Sequence, residues 1–393
     1  MSMIQYHEAL ELIRSYAVTD SIEAVELTGA RQRVLAEDTH YDSNIPPFNK
    51  SAMDGYACRS SDIGKELNIL ETVYAGSAPI HRIGRSECSK IMTGAVVPEG
   101  ADCVFMVEDA ELKGENKVIC TNLETATNIC YEGEDVVKGD MALKKHTLIS
   151  SRHIPLLAGA GVISPRVFSR PAVTVFATGS ELVEPDHKPL PHQIRNSNAY
   201  QMLSQLSEMG ISAEYPGIIR DDKNHTEKKI AEAFRSSDLV LLTGGVSAGD
   251  SDFVPDVLED LEFEMILTRS AIQPGKPIIF ARKGQKYCFG LAGNPVSSFI
   301  QFELYVKPFI YSLMGHLYQP PKREAVLGKD LDRRKADRLK FFPAFLDEKN
   351  VALPLEFHGS AHIDALSNAN CLIEMPIGQY EIKKGETVHV RPL

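Results

Sequence analysis

The sequence lacks the features that would place a protein in a membrane or outside the cell. No apolar run approaches the roughly 18 residues that a membrane span requires. Residues 1–8 lack the basic and apolar regions of a secretory signal. The seven cysteines are scattered without any Cys-x-x-Cys pair, so neither a disulfide framework nor a zinc site is predicted. We therefore expect a cytoplasmic protein.

Several common binding and catalytic motifs are also absent. The net charge is −11 and no Lys/Arg tract interrupts it, which argues against a nucleic-acid partner. No Gly-x-Gly-x-x-Gly follows the first strand of the predicted sheet, and there is no P-loop, Gly-x-Ser-x-Gly elbow or His-Glu-x-x-His. His358 and His362 are four residues apart but enclose Gly359, so we do not expect them to hold a metal.

The length and the pattern of hydrophobic residues predict a multidomain α/β plus β protein. A chain of 393 residues is too long for one compact core. Strands alternate with helices in the third quarter of the chain, which predicts a mostly parallel sheet in a three-layer domain. We predict four domains: a connector (20–40 and 140–170), an all-β module (41–139), the α/β domain (1–19 and 171–318) and a C-terminal β-barrel-like or β-sandwich domain (319–393).

The segment 238–253 carries the strongest local pattern. Its apolar run, 239–242, is typical of a buried strand, and the Thr243-Gly244-Gly245 turn permits close backbone approach to a ligand. The helix predicted next would present its N-terminus to an anion. Asp250 and Asp252 suggest a bridging Mg²⁺, although an ordinary turn with an acidic helix cap explains the same residues.

Polar residues follow several other predicted strands, and ligands of open α/β sheets bind at that edge. Thr178, Glu181, Asp221 and Asn294 are in such positions. Residues 273–277 place Lys276 between two prolines. The rigid loop could hold the ammonium for an oxyanion, or Lys276 could be a solvated lysine of an ordinary turn. Residues 196–198 precede a predicted helix whose inner face is Tyr200, Leu203, Leu206 and Met209. Two interpretations of 196–198 stay open: the N-cap of this helix, or hydrogen-bond donors to a phosphate or a heterocycle.

Asp54-Gly55 by itself indicates a surface hairpin. In order and spacing, however, the segments 47–57, 92–95, 133–135, 178–182, 196–198, 243–252, 274–277 and 293–297 resemble the MoeA family, the molybdopterin molybdenumtransferases, to which the gephyrin E domain is related. The resemblance extends over about residues 5–393. It implies a homodimer that inserts molybdate into the dithiolene of adenylylated molybdopterin and releases AMP, with Mg²⁺ required.

The resemblance also implies roles for individual residues. It assigns molybdate to Lys276, the Pro277 backbone, Ser297, Arg338 and Ser360. It implies catalytic roles for Asp54, Glu181, Asp221, Asp252 and Lys276, and Mg²⁺ binding by Asp221, Asp250 and Asp252. Asp54, Thr93 and Asp135 would reach the site from the second subunit. The remaining substrate-binding residues would be Thr178, Gly179, Asn196, Ser197, Asn198, Gly244, Gly245, Ser247, Gly249, Pro274, Gly275, Gly293, Asn294 and Pro295.

The chain departs from the family pattern at three positions. Asn49 stands where many relatives have Asp, and Gln273 where many have Lys, which weakens one anion contact unless Arg269 supplies it. Pro343 replaces the second arginine of a pair that begins with Arg338. Two other functions remain open: the chain could be a molybdopterin adenylyltransferase or a gephyrin-like scaffold. If it is the insertion enzyme, its possible protein partners are a molybdopterin adenylyltransferase and molybdoenzyme maturation proteins.

Overall fold

The computed structural model describes residues 3–19, 21–246 and 253–393. The chain begins with helix α1 (Tyr6–Ser15), which buries Tyr6, Leu10 and Ile13 against the largest core. Within the described ranges no helix is both long and apolar enough to cross a lipid bilayer.

The first 168 residues are built mostly from short strands. Six of them form one sheet in the order β7-β4-β6-β5-β9-β8, and the pairs β1–β12, β2–β11 and β3–β10 are separate two-stranded ribbons. The strands are β1 Ile22–Ala24, β2 Thr39–His40, β3 Lys50–Ser51, β4 Gly55–Cys58, β5 Glu66–Val73, β6 Glu87–Ile91, β7 Cys103–Met106, β8 Ala110–Leu112, β9 Lys117–Cys120, β10 Ile129–Cys130, β11 Met141–Leu143 and β12 Arg166–Phe168. Helix α2 (Ile154–Gly159) lies between β11 and β12.

A six-stranded sheet follows, in the order β16-β13-β17-β21-β20-β18. The neighbours from β16 to β21 are parallel, and β20 and β18 add an antiparallel edge. The bounds are β13 Val173–Thr178, β14 Leu182–Val183, β15 Ile194–Arg195, α3 Asn198–Glu208, β16 Ile218–Ile219, α4 Lys223–Ala233, β17 Leu239–Thr243, α5 Val254–Asp260, β18 Glu264–Arg269, β19 Ile272–Gln273, β20 Pro277–Lys283, β21 Lys286–Leu291, α6 Pro295–Gln301 and α7 Lys307–Leu313. Residues Phe302–Val306 join α6 to α7 as a π-helical segment.

Helices cover both faces of this sheet, as predicted. Successive side chains of β17 point to opposite faces, so Leu239 and Leu241 join the core beneath α1, α3, α6 and α7. Val240 and Leu242 join the second core, beneath α4 and α5. A strand that is buried on both sides needs an unbroken apolar run rather than an alternating one, which explains the sequence of 239–242.

The predicted inner face of α3 is confirmed at Leu206 and Met209, which are buried, and at Leu203, which packs against the same core. It is wrong at Tyr200. Tyr200 is 45% exposed, whereas Asn198 and Gln205 are buried. Both polar side chains have partners, because Asn198 bonds to the sheet edge and Gln205 Nε2 donates to Glu303 Oε1 at 2.7 Å. A buried polar group that is hydrogen-bonded can occupy the inner face of a helix, and a purely hydrophobic pattern does not reveal it.

The C-terminal region forms a closed five-stranded barrel, as the sequence indicated. Strands pair in the ring β22-β28-β26-β24-β25, and β25 returns to β22. Strand β19, which precedes β20 of the α/β sheet, also pairs with β24 and connects the barrel to the sheet. The bounds are β22 Arg323–Leu327, β23 Leu331–Asp332, β24 Leu339–Leu346, β25 Val351–Pro354, β26 Cys371–Met375, β27 Glu381–Ile382 and β28 Thr387–Pro392.

Candidate functional site

A cavity of about 820 Å³ lies where the parallel strands of the α/β sheet end. Because β13, β16, β17 and β21 are parallel, their carboxyl ends and the loops that follow meet at one edge. We call it the sheet-edge cavity. Of the residues predicted from the sequence, it brings together Thr178, Gly179, Glu181, Asn196, Ser197, Asn198, Asp221, Gly244, Gly245, Pro277, Gly293, Asn294 and Pro295.

The loops after β13 and β17 approach each other closely at this edge. Gly244 and Gly245 have φ of +94° and +64°, a region that side chains other than glycine rarely adopt. A Cβ on Gly244 would clash with the carbonyl oxygen of Thr178 and lie 2.8 Å from its Oγ1. The glycine pair therefore permits both the turn and the contact, and leaves backbone rather than side chain on the cavity wall.

Two side chains join the loops that line the cavity. Asn198 Nδ2 donates to Thr243 Oγ1 at 2.9 Å and to Gly293 O at 2.8 Å, so α3 is fixed to the loops after β17 and β21. Asp221 Oδ2 accepts a hydrogen bond from Ser180 N at 2.8 Å, and Ser180 Oγ accepts one from Asp221 N at 3.1 Å. These bonds hold the carboxylate in the cavity in a fixed orientation.

Asn196 belongs to a network with two tyrosines. Its Nδ2 donates to the Tyr215 hydroxyl at 2.6 Å, and that hydroxyl donates to Glu184 Oε1 at 2.7 Å. Burial, followed by the neighbouring Glu184 carboxylate, raises the pKa of Tyr215. Tyr200 donates to the other oxygen of Glu184 at 2.9 Å. Asn196 Oδ1 also accepts a hydrogen bond from Ala199 N at 3.2 Å, so the same side chain caps the start of α3.

A second cavity, of about 490 Å³, adjoins the first. Both are lined by Pro277, Ala292 and Asn294. The second contains every residue that the sequence assigned to molybdate, together with the rest of the proline loop: Pro274, Gly275, Lys276, Pro277, Ser297, Arg338 and Ser360. No Asp or Glu lies among the described residues of its wall, so we call it the basic cavity.

Gln301 holds the wall between the two cavities and was not predicted from the sequence. It is fully buried at the end of α6. Its Nε2 donates to Gly275 O at 2.9 Å and to Pro277 O at 2.6 Å, and its Oε1 accepts from Ala292 N at 2.8 Å. One amide therefore satisfies three main-chain groups of the two loops and fixes the position of Lys276 relative to β21.

The predicted cross-subunit residues lie in the β-rich part of the chain and line neither cavity. Asp54 Oδ1 accepts hydrogen bonds from Thr93 N and Thr93 Oγ1, each at 2.7 Å. The Thr93 main-chain N–H, followed by its hydroxyl, lowers the pKa of Asp54. Asp135 is anchored through its backbone N–H to Ile45 O at 3.0 Å. The structure thus joins Asp54 to Thr93 but leaves both apart from the cavities of their own chain.

Comparison with known proteins agrees with this geometry over the whole chain. Family models described as MoeA N-terminal region (domain I and II), Probable molybdopterin binding domain, and MoeA C-terminal region (domain IV) match residues 4–161, 174–312 and 324–393. A Bacillus subtilis protein named molybdopterin molybdenumtransferase is 33% identical, over 98% of this chain and 93% of its own. The chain belongs to the MoeA family.

Further MoeA relatives support the assignment. A Staphylococcus aureus protein with the same name is 32% identical over 98% of this chain and 95% of its own. A crystal structure of the molybdopterin biosynthesis MoeA protein from Pyrococcus horikoshii superposes with a TM-score of 0.86, at 28% identity and with complete coverage of both chains. The fold class and the family predicted from the sequence are therefore confirmed.

Four of the predicted MoeA site residues, Ser247, Gly249, Asp250 and Asp252, lie outside the described residues. Within the described ranges no group of three or more His, Cys, Asp or Glu side chains is arranged to hold a metal ion. His358 and His362 stack with ring centroids 4.9 Å apart, and His358 Nε2 lies 2.9 Å from Glu356.

Sequence reasoning missed several residues of the walls. Arg195 and the apolar Leu182, Ile194, Val246, Ala292, Ala361 and Ile363 complete the sheet-edge cavity, and Lys340, Phe357, His358 and Gly359 complete the basic one. Lys340 had a usable signal, because residues two apart in an extended chain share a face and Arg338 was already assigned. The apolar residues had none, since nothing distinguishes them from core residues.

Proposed function

We propose that this chain is a molybdopterin molybdenumtransferase that inserts molybdate into adenylylated molybdopterin and releases AMP in a Mg²⁺-dependent reaction. The observation that carries the proposal is the junction of two cavities of different character. One is lined by glycines and main chain at the sheet edge, and the other by cations without carboxylates. An anionic nucleotide and a small oxyanion are the two substrates that this pair suits.

The sheet-edge cavity would hold the pterin nucleotide. Main-chain N–H groups of glycine turns bind phosphates without steric hindrance, and Gly245 and Gly293 lie in such loops on the cavity wall. The N–H groups of Gly179 and Gly244 donate instead to Ile219 O and Leu291 O, so these two glycines contribute only close approach. Exposed apolar side chains of Ile194 and Ile363, 57% and 50% exposed, give flat rings a surface on which to pack. Glu181 and Asp221 would orient the nucleotide and keep the reacting phosphate beside the basic cavity.

The basic cavity would hold molybdate. Lys276 and Arg338 supply permanent positive charge, and the hydroxyls of Ser297 and Ser360 supply neutral donors. Ser360 Oγ accepts from Asn294 Nδ2 at 2.8 Å, which leaves its own proton free to donate into the cavity. Charged donors fixed before the anion arrives stabilise it without reorganisation, and they hold it next to the dithiolene.

The residues of the sheet-edge cavity also fit Mg²⁺. Carboxylate oxygens are the ligands it prefers, and it commonly keeps only one or two of them together with waters and substrate phosphates. Asp221 meets this requirement with an orientation fixed by Ser180 N, and we propose Asp250 and Asp252 as its other ligands. The ion would stabilise negative charge on the phosphates as AMP leaves.

The proposal includes assembly and cellular context. We propose a cytoplasmic homodimer in which Asp54, Thr93 and Asp135 approach the sheet-edge cavity of the second subunit. The exposed position of Asp54 and the neighbouring Phe48 and Met53, which are 37% and 41% exposed, support such a contact. A molybdopterin adenylyltransferase would supply the substrate, and molybdoenzyme maturation proteins would receive the product.

Release of AMP from adenylylated molybdopterin by the purified protein tests the proposal. We expect release that needs both molybdate and Mg²⁺, with omission of either lowering the rate to that of the protein-free control. Binding of the nucleotide without release under any condition would indicate a carrier or a scaffold instead. Formation of adenylylated molybdopterin from ATP would indicate an adenylyltransferase.

A further inference from the structure

Lys340 lies on the wall of the basic cavity, directly beside the proline loop. Strand β19 runs parallel to β24, and in their register the Cα partner of Gln273 is Lys340. Paired residues on neighbouring strands project from the same face, and both of these side chains line the cavity. The barrel therefore carries a lysine to the point where the loop that holds Lys276 begins.

Among the described residues, the Lys340 ammonium has an aromatic neighbour but no carboxylate within ion-pair distance. Its Nζ lies 4.1 Å from the centroid of the Phe342 ring, a distance at which an aromatic face attracts a cation. Burial lowers the pKa of Lys340, and the positive charges of Arg333 and Arg338 lower it too, while Asp332 raises it. A half-buried cation among other cations gains most from an anion that enters the cavity.

Lys340 also supplies positive charge near two positions where the chain departs from the family pattern. Gln273 and Pro343 are uncharged, and the sequence offered Arg269 as a substitute. Arg269 is not among the described residues that line either cavity, whereas Lys340 lines the basic one beside Gln273. A cationic charge is thus present on the strand beside Gln273, three residues before Pro343 on β24.

We propose that Lys340 is a molybdate-binding residue of this chain, acting with Lys276 and Arg338 on a tetrahedral divalent oxyanion. The inference rests on the proposed function and adds to it a third permanent cation that is supplied by the barrel rather than by the α/β domain. No bond is made or broken by Lys340, because an ammonium at this position acts as a point charge and hydrogen-bond donor. Its effect should therefore appear in the affinity for molybdate.

Molybdate dependence of AMP release by the Lys340→Ala and Lys340→Arg proteins tests this role. Loss of one charge-assisted hydrogen bond corresponds to about a 10- to 100-fold change in affinity. We expect K340A to raise the half-saturating molybdate concentration by that factor, with the half-saturating concentration of adenylylated molybdopterin within about twofold of wild type. K340R should recover most of the affinity. Lys349→Ala, an exposed turn lysine of the same barrel, is the matched control.

Calorimetric titration of molybdate into the same proteins compares their affinities for molybdate without turnover. If the wild type binds molybdate but releases no AMP, the proposed function fails while the binding assay still decides on Lys340. Equal affinities for wild type, K340A and K349A would overturn the inference, as would absence of molybdate binding to the wild type. Thermal unfolding checks folding, and K340A should unfold within a few degrees of wild type, since the half-buried charge that it removes has an aromatic neighbour and no ion pair among the described residues.

Discussion

At the scale of single residues, Gly244 determines how closely the loops after β13 and β17 approach. Its φ is +94° and the Thr178 carbonyl occupies the space where a Cβ would lie. We expect Gly244→Ala to combine backbone strain with a clash, and to lower stability by roughly 1–3 kcal/mol. Thermal unfolding of the variant, monitored by circular dichroism and calorimetry, measures the effect.

Gly114 provides the control for this substitution. Its φ is +85°, close to that of Gly244, but no atom lies within 4 Å of the position of a Cβ. G114A should therefore show the backbone strain alone. A G244A protein no less stable than G114A would mean that the loops do not approach as described.

Asp54 and Thr93 allow a test by pH. Because the hydrogen bonds from Thr93 lower the pKa of Asp54 in the folded state, their contribution to stability is present above the ordinary carboxyl pKa and is lost as pH falls through the lowered value. Thr93→Val removes the hydroxyl donor, so we expect the pKa of Asp54 to rise in an NMR titration of its carboxyl carbon. Thr93→Ser keeps the donor and should leave the pKa where it is; an unchanged value in T93V would contradict the assignment.

At the scale of elements, helix α6 positions the proline loop through Gln301. Gln301→Leu would leave two carbonyls and one N–H without their partner in a buried region, which we expect to cost roughly 2–5 kcal/mol. The loop that carries Lys276 would also lose its support, so turnover at low molybdate should fall further than turnover at saturation. Thermal unfolding and the molybdate dependence of AMP release check the two effects.

Gln201→Leu is the corresponding control on α3. Its Nε2 donates to Gln205 Oε1, while its own Oε1 is buried without a hydrogen-bond partner in the described part of the chain. The replacement breaks one side-chain bond rather than three main-chain bonds, so it should cost less than Q301L. Equal losses in Q301L and Q201L would show that the three bonds of Gln301 have no special role.

Elements with strong patterns were predictable from the sequence. The apolar run 239–242, its glycine turn and the helix after it all appear as expected. The polar part of the inner face of α3 was not predictable, because Asn198 and Gln205 are buried through hydrogen bonds to distant segments.

The candidate site was predictable where a motif carried it and not where tertiary contact built it. Thr178, Asn198, Gly244 and Lys276 lie within loops whose composition indicates a ligand. The spacing of Lys340 from Arg338 could have placed both on one face of a strand. Its position beside Gln273 could not be predicted, because β19 and β24 pair across 66 intervening residues and strand register between domains is not encoded in a local pattern.

At the scale of the whole molecule, the basic cavity is formed from two separately built units. The proline loop and the start of α6 come from the α/β domain, and Arg338, Lys340 and Ser360 come from the C-terminal barrel. Movement of one unit against the other would change the cavity, whereas the sheet-edge cavity belongs almost entirely to the α/β domain. The barrel should therefore matter more for molybdate than for the nucleotide.

The proposed exchange of residues between subunits predicts complementation. At a molybdate concentration that half-saturates the wild type, Asp54→Ala and Arg338→Ala should each leave the homodimer with little activity. If Asp54 acts on the second subunit, a mixed dimer contains one site with both defects and one intact site, so co-expression should restore about a quarter of wild-type activity in a statistical mixture. Activity of the co-expressed mixture measures this, and the purified mixed dimer should have about half of wild-type activity. No recovery, with mixed dimers shown to be present, would mean that Asp54 and Arg338 of one and the same chain act in one site.

Separate titration of the two substrates tests the division of labour between the cavities most directly. AMP release by wild type, Asp221→Asn and Arg338→Ala is measured against molybdate and against adenylylated molybdopterin. We predict that R338A raises the half-saturating molybdate concentration about 10- to 100-fold and leaves that of the nucleotide within about twofold. D221N should do the reverse. Equal changes in both concentrations for both variants would contradict two adjoining sites of distinct function.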